Sequence, residues 1–214
     1  MTVSRLIVIS FLAIGSGALA LEPGEMVPGP FQAYMATGPR AGRFHSPVTE
    51  FGLSPAVVIL VRENTEFEKP LVDLLKKLDP LIPKYLAANF GATAIVIGDG
   101  GYRKAIQAPV EDKQVTELTL TNATLAKEAK EAKLRDLAKR ENLQNVTLGF
   151  ADPDELSKYG LDANSAVTVL LLNQQKVVAK SVHPTAALAE PEVAKFLQQV
   201  EATADAVAKA SRKQ

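Results

Sequence analysis

The chain has 214 residues, of which 47% are hydrophobic and 22% charged, with 24 basic and 24 acidic side chains. That is an ordinary globular composition for one domain, without the basic surplus that would attract nucleic acid or anionic lipid. There is no cysteine, which excludes a thiolate nucleophile, disulfide exchange, a thiolate zinc site, a cysteine-ligated iron–sulfur cluster and thioether-linked haem.

Residues 1–20, "MTVSRLIVISFLAIGSGALA", combine a basic start at Arg5, an apolar run from Leu6 and the small-residue ending Ala18-Leu19-Ala20. This is the pattern of an export signal cleaved after Ala20. The charge-free stretch Leu6 to Leu21 spans 16 residues, short of the roughly 20 a membrane-crossing helix needs. The expected mature chain is therefore exported, periplasmic or extracellular, begins at Leu21 and has no stable membrane span. Its 23 basic and 24 acidic residues leave it nearly neutral.

Residues 21–42 hold four prolines and four glycines without apolar periodicity and read as an irregular lead-in draped on the domain. "AVVILV" at 56–61 is a continuous β-branched run, expected as a strand buried on both faces. Leu71, Leu74, Leu75, Leu78, Ile82, Tyr85, Leu86 and Phe90 follow at helical spacing, with Pro70 in a first turn, a kink at Asp79-Pro80 and Gly91 as the stop. "TAIVIG" at 93–98 is a second buried strand, so the unit predicts parallel pairing.

Residues 98–121 read as a tight turn at "GDGG" and an extra strand near Thr116–Leu120. A helix is expected from Ala123 to Glu141, a strand at 145–150, and a capped turn through "DPDELSKYG". Two strands, 166–172 and 177–182, form an antiparallel hairpin around "NQQ", and a helix entered at Pro191 closes the chain.

The order β-α-β-α-β, then β-β-α, is that of the thioredoxin topology. "NVTLGFADPDELSKYGLDANSAVTVLLLNQQKVV" at 145–178 resembles the C-terminal half of thioredoxin-like proteins. "TGPRAGRFHSPVTEFGLSPAVVILVRE" at 37–63 resembles the start of secreted, redoxin-type thioredoxin-like proteins of bacterial envelopes, where a His-Cys-Pro-Val-Cys-type dithiol lies near the first core strand. The resemblance implies an α/β, thioredoxin-like fold with a central mixed β-sheet flanked by helices. It divides the chain into the signal 1–20, a lead-in and degenerate active-site-like loop over 21–50, and the domain 51–214.

On that resemblance Ser46 and Thr49 stand at the two cysteine positions, with Pro47 and Val48 between them and His45 before them. Alcohol oxygens neither ionise near neutral pH nor form a bond to each other, so the family's redox chemistry is not transferred. Val167 stands where thioredoxins usually place a cis-proline facing the dithiol. A non-proline cis bond costs about 3–4 kcal/mol, so a trans peptide is expected there. In thioredoxins the dithiol follows a core strand and opens a helix, whereas Ser46–Thr49 precedes the first core strand.

His45, Ser46, Thr49 and Glu50 invite comparison with a serine nucleophile, histidine base and carboxylate orienter. Sequence neighbours seldom have triad geometry, and the mature chain has no Gly-x-Ser-x-Gly elbow; a hydrogen-bonded turn or helix cap is the expected role. His45 and His183 are the only imidazoles, too few for a tight copper or zinc site. Asp152, Asp154 and Glu155 suit helix capping, and "GDGG" lacks a complete phosphate-loop fingerprint. The sequons at Asn122 and Asn145 are expected to be unmodified, and no cofactor motif is read. The sequence thus favours an exported thioredoxin-fold protein without dithiol activity, binding a protein or peptide through His45, Ser46, Pro47, Val48, Thr49, Val167 and Thr168. A copper carrier, or a non-thiol enzyme using the His45 region, is the competing expectation.

Overall fold

The structure is a computed structural model that describes residues 21–111 and 116–212. The segment read as an export signal lies outside the described residues. In chain order the elements are β1 (Ala33–Met35), β2 (Phe44–His45), α1 (Pro47–Phe51), β3 (Ala56–Arg62), α2 (Lys69–Leu78), α3 (Leu81–Lys84), β4 (Gly91–Ile97), α4 (Tyr102–Glu111), α5 (Glu117–Arg140), β5 (Thr147–Ala151), β6 (Val167–Asn173), β7 (Lys176–His183) and α6 (Glu190–Ser211), with 3-10 turns at Leu86–Ala88 and Pro153–Tyr159.

The strands form one mixed sheet in the order β2-β1-β5-β4-β3-β6-β7. β3 is central because its β-branched run has apolar residues for both faces: Val57, Ile59 and Val61 join one core, Val58 and Leu60 the other. It pairs parallel with β4 and antiparallel with β6. The first face is covered by α2, α3, α5 and α6, whose Leu71, Leu75, Leu81, Leu134, Phe196 and Val200 pack on it. Each such leucine contributes roughly 1.5–3 kcal/mol by burial. The second face is covered by Leu21, Val27 and Phe31 of the lead-in, Val48 of α1, and Leu156 and Tyr159.

The lead-in is therefore more than a drape. Residues 33–35 add a strand to the sheet, antiparallel to β5, and the Tyr159 hydroxyl donates to the Gly29 carbonyl at 2.5 Å while its ring meets Phe31 edge-on. The kink at Asp79-Pro80 falls between α2 and α3, and the hairpin turns at Gln174 and Gln175, both at positive φ, as a two-residue loop requires.

Two expectations are corrected. Thr116–Leu120 is not a strand: the Thr116 hydroxyl accepts the Thr119 N–H at 3.2 Å and starts the 24-residue α5. The alternating leucines that mimicked a strand, Leu118 and Leu120, are exposed. Gly91 is not a helix stop: Asn89 takes the left-handed conformation and Gly91 opens β4. Gly91 is small because the Phe51 ring packs where a Cβ would sit.

Candidate functional site

The sequence-selected residues fall into two groups that the fold keeps apart. Ser46 caps α1, its Oγ accepting the Thr49 N–H at 3.3 Å, and Pro47 fits the first turn. Val48 is buried in the second-face core, and Thr49 is exposed. His45 lies on β2 with Nε2 3.0 Å from a Glu50 carboxylate oxygen, but the approach is too oblique for a hydrogen bond and Nε2 stays without an aligned partner. Among the described residues Ser46 makes no hydrogen bond to His45, so no nucleophile is activated there.

Val167 and Thr168 are 0% and 3% exposed, core positions rather than a surface. Val167 packs on the first face and Val48 on the second, so the two groups do not make one binding surface. The reason is long-range: β2 reaches the sheet through β1 and β5, five strand steps from β6, roughly 24 Å. The peptide bond before Val167 is trans. Its loop is closed by Arg62, whose N–H donates to the Ala166 carbonyl at 2.8 Å. The guanidinium donates to the Ser165 and Asp162 carbonyls at 3.2 and 2.9 Å. His45 and His183 sit on opposite edge strands of the sheet, roughly 29 Å apart, so they share no metal site.

The position that follows a core strand and opens a helix is the loop Glu63–Glu68, between β3 and α2. There a groove of about 720 Å³ opens at the carboxyl ends of the parallel strands, where open α/β sheets place their ligands. Phe67 and Val96 supply its exposed apolar surface, over the buried Leu134, Leu137 and Phe150. One wall is the loop, with Glu63 and Glu66; the other is α5, with Lys130, Lys133, Asp136 and Arg140. Lys130 braces the two walls by pairing with Glu63 and donating to the Gly98 carbonyl at 2.8 Å. Gly98 has φ +146°, and a Cβ would strike the Glu63 carboxylate. Sequence reading missed this site because its walls lie some 65 residues apart; the local signal was the polar stretch "ENTEFE" between a buried strand and a helix.

Ser181, His183 and Glu192 form another polar cluster. Ser181 Oγ lies 2.7 Å from His183 Nε2, and Glu192 lies 3.6 Å from Nδ1. Burial pushes the imidazole below its usual pKa, against the opposing pull of Glu192, which keeps it neutral. The connectivity is that of a triad, but the adjoining recess, about 10 Å³, has room for about one water at most. An acyl substrate does not fit, and the cluster serves to lock β7 to the first turn of α6.

Neither a protein-family profile nor a curated protein sequence matches the chain. Solved structures do. A protein of Chlorobium tepidum, provisionally assigned as the thiol:disulfide interchange protein DsbE, superposes with TM-score 0.54 at 15% identity, covering 86% of this chain and 99% of that one. The fold is thioredoxin-like. A DsbF homologue from Corynebacterium diphtheriae matches with TM-score 0.51 at 12% identity over 91% of this chain and 98% of its own. A thiol peroxidase from Chromobacterium violaceum gives 0.50 at 11%, over 85% and 89%. This thioredoxin-like chain differs from such thiol proteins in having no cysteine anywhere, including the Glu63–Glu68 loop. Its own side chains cannot carry dithiol exchange or thiol peroxidation. No described helix is long and apolar enough to cross a membrane.

Proposed function

We propose that this thioredoxin-like protein is an exported, non-redox binding module that holds a peptide or protein segment in the groove between the Glu63–Phe67 loop and α5. The supporting observation is the groove itself: an open cleft with an apolar base and charged rims at the carboxyl ends of β3, β4 and β5. Binding sites of this kind combine apolar contact with a few orienting polar groups. Export rests on the signal-like residues 1–20 and gives the module the cell envelope as its place of work. Of the residues first selected by sequence, Thr49 is exposed and His45 half-buried beside α1.

The test is binding of a fluorescently labelled peptide library to the protein beginning at Leu21, repeated with Phe67→Arg, which sets a charge on the partly exposed apolar surface of the groove. Saturable binding that Phe67→Arg weakens at least tenfold, with the far-UV spectrum and the unfolding midpoint preserved to within a few degrees, supports the reading. Binding that Phe67→Arg leaves unchanged refutes it.

A further inference from the structure

We propose that the groove selects a zwitterionic segment: one large apolar side chain with an acidic neighbour directed at α5 and a basic neighbour directed at the Glu63–Phe67 loop. This rests on the reading of the groove as a peptide site and adds the chemistry of the occupant.

The argument is charge placement. The loop wall contributes only acids, Glu63 and Glu66, whereas the helix wall contributes Lys130, Lys133 and Arg140 against one acid, Asp136. Two walls of opposite sign face one another across an apolar base, so a ligand spanning them is held best when its own charges are reversed. Not all of these charges are free to act. Glu63 and Lys130 neutralise each other as the brace, and Arg140 is shared with Glu141 at 3.0 Å. Among the described residues, neither Glu66 nor Lys133 has an ion-pair partner, so these two carry the selectivity: Glu66 takes the basic neighbour and Lys133 the acidic one.

The apolar residue supplies the affinity. Phe67 is only partly buried and packs against the core with Val96, so an aromatic or long aliphatic side chain entering the groove covers surface that water now wets. Charges at the rim stay solvated, which limits their effect to selectivity of several-fold and makes it sensitive to salt.

The experiment measures dissociation constants of three nine-residue peptides, centred on Glu-Phe-Lys, Lys-Phe-Lys and Glu-Phe-Glu, for the chain beginning at Leu21 and for its Glu66→Lys and Lys133→Glu variants. Both substitutions are at exposed positions outside any ion pair, and thermal unfolding checks that each variant is folded. The expected result is preference for Glu-Phe-Lys by about five- to tenfold at low salt. Glu66→Lys transfers the preference to Glu-Phe-Glu, and Lys133→Glu transfers it to Lys-Phe-Lys. Half-molar sodium chloride flattens the ranking without abolishing binding. Equal binding of all three peptides, sensitive to Phe67→Arg but not to the charge reversals, overturns the charge assignment and leaves the peptide groove standing. Failure of all three to bind overturns both.

Discussion

Replacing Asp79 by alanine tests how the end of α2 is tied to the start of β5. Asp79 Oδ1 accepts three consecutive backbone N–H groups, from Gln144 at 3.1 Å, Asn145 at 2.7 Å and Val146 at 2.8 Å. Oδ2 accepts the Asn145 side-chain amide at 3.1 Å. Hydrogen bonds to a charged group contribute about 1.5–3 kcal/mol each, but the four do not simply add. Gln144 and Asn145 are exposed, so water replaces the carboxylate there. Val146 is 3% exposed, and its N–H is the donor left without a partner. The expected cost of Asp79→Ala is therefore about 2–4 kcal/mol, a fall of roughly 4–16 °C in melting temperature for a domain of this size. Asp79→Asn keeps one oxygen for the three backbone N–H groups but loses the charge and turns the Oδ2 acceptor of the exposed Asn145 amide into a donor, so about half that cost is expected. Urea unfolding with an unchanged slope gives both numbers. A loss below about 0.5 kcal/mol for Asp79→Ala, or an asparagine variant as damaged as the alanine one, would refute the reasoning.

The neutral, buried His183 gives a pH dependence of definite sign. Its folded pKa is depressed by burial, so below about pH 6.5 the unfolded chain binds the proton more readily and stability falls as pH drops towards the folded value. Urea midpoints at pH 7.5 and pH 5 should differ less in His183→Gln than in the parent; equal differences would remove His183 as the cause. Gly91→Ala forces a methyl group into the Phe51 ring and should cost about 1–3 kcal/mol. Phe51→Leu should cost less in the Gly91→Ala background than alone, a coupling that a double-mutant cycle measures.

What could be read locally was read well. Ala56–Val61 and Thr93–Ile97 declare burial on both faces through short, mostly β-branched runs without charged residues, and they are the adjacent parallel strands β3 and β4. Ser46 has the side chain of an N-cap and is one. What failed depended on partners distant in sequence. Whether Val48 faces the same side as Val167 is decided by β1 pairing with β5, and three residues of a Pro/Gly-rich lead-in give no local sign of that. Leu118 and Leu120 are the local exception: they alternate as in a strand, but the Thr116 cap starts α5 and leaves them exposed. The groove was hidden by distance in sequence: its two walls meet only because α5 packs on β5 beside the loop that follows β3.

The closed loop before β6 bears on where a ligand can act. In thioredoxins this loop faces the dithiol; here Arg62 occupies the Ala166, Ser165 and Asp162 carbonyls, and the Ala166 N–H donates to the His183 carbonyl at 2.8 Å. A peptide that paired with this backbone would first displace three Arg62 hydrogen bonds, at a net cost of about 0.5–1.5 kcal/mol each. That weakens its dissociation constant by roughly ten- to a thousandfold. On the α5 side of the Glu63–Phe67 loop no such exchange is required, because the surface of Phe67 and Val96 meets water rather than a competing internal ligand. The absence of cysteine and the closure by Arg62 thus act together: one leaves no covalent capture of a substrate, the other disfavours backbone pairing beside it. Recognition in the proposed peptide groove therefore rests on side chains rather than on this backbone.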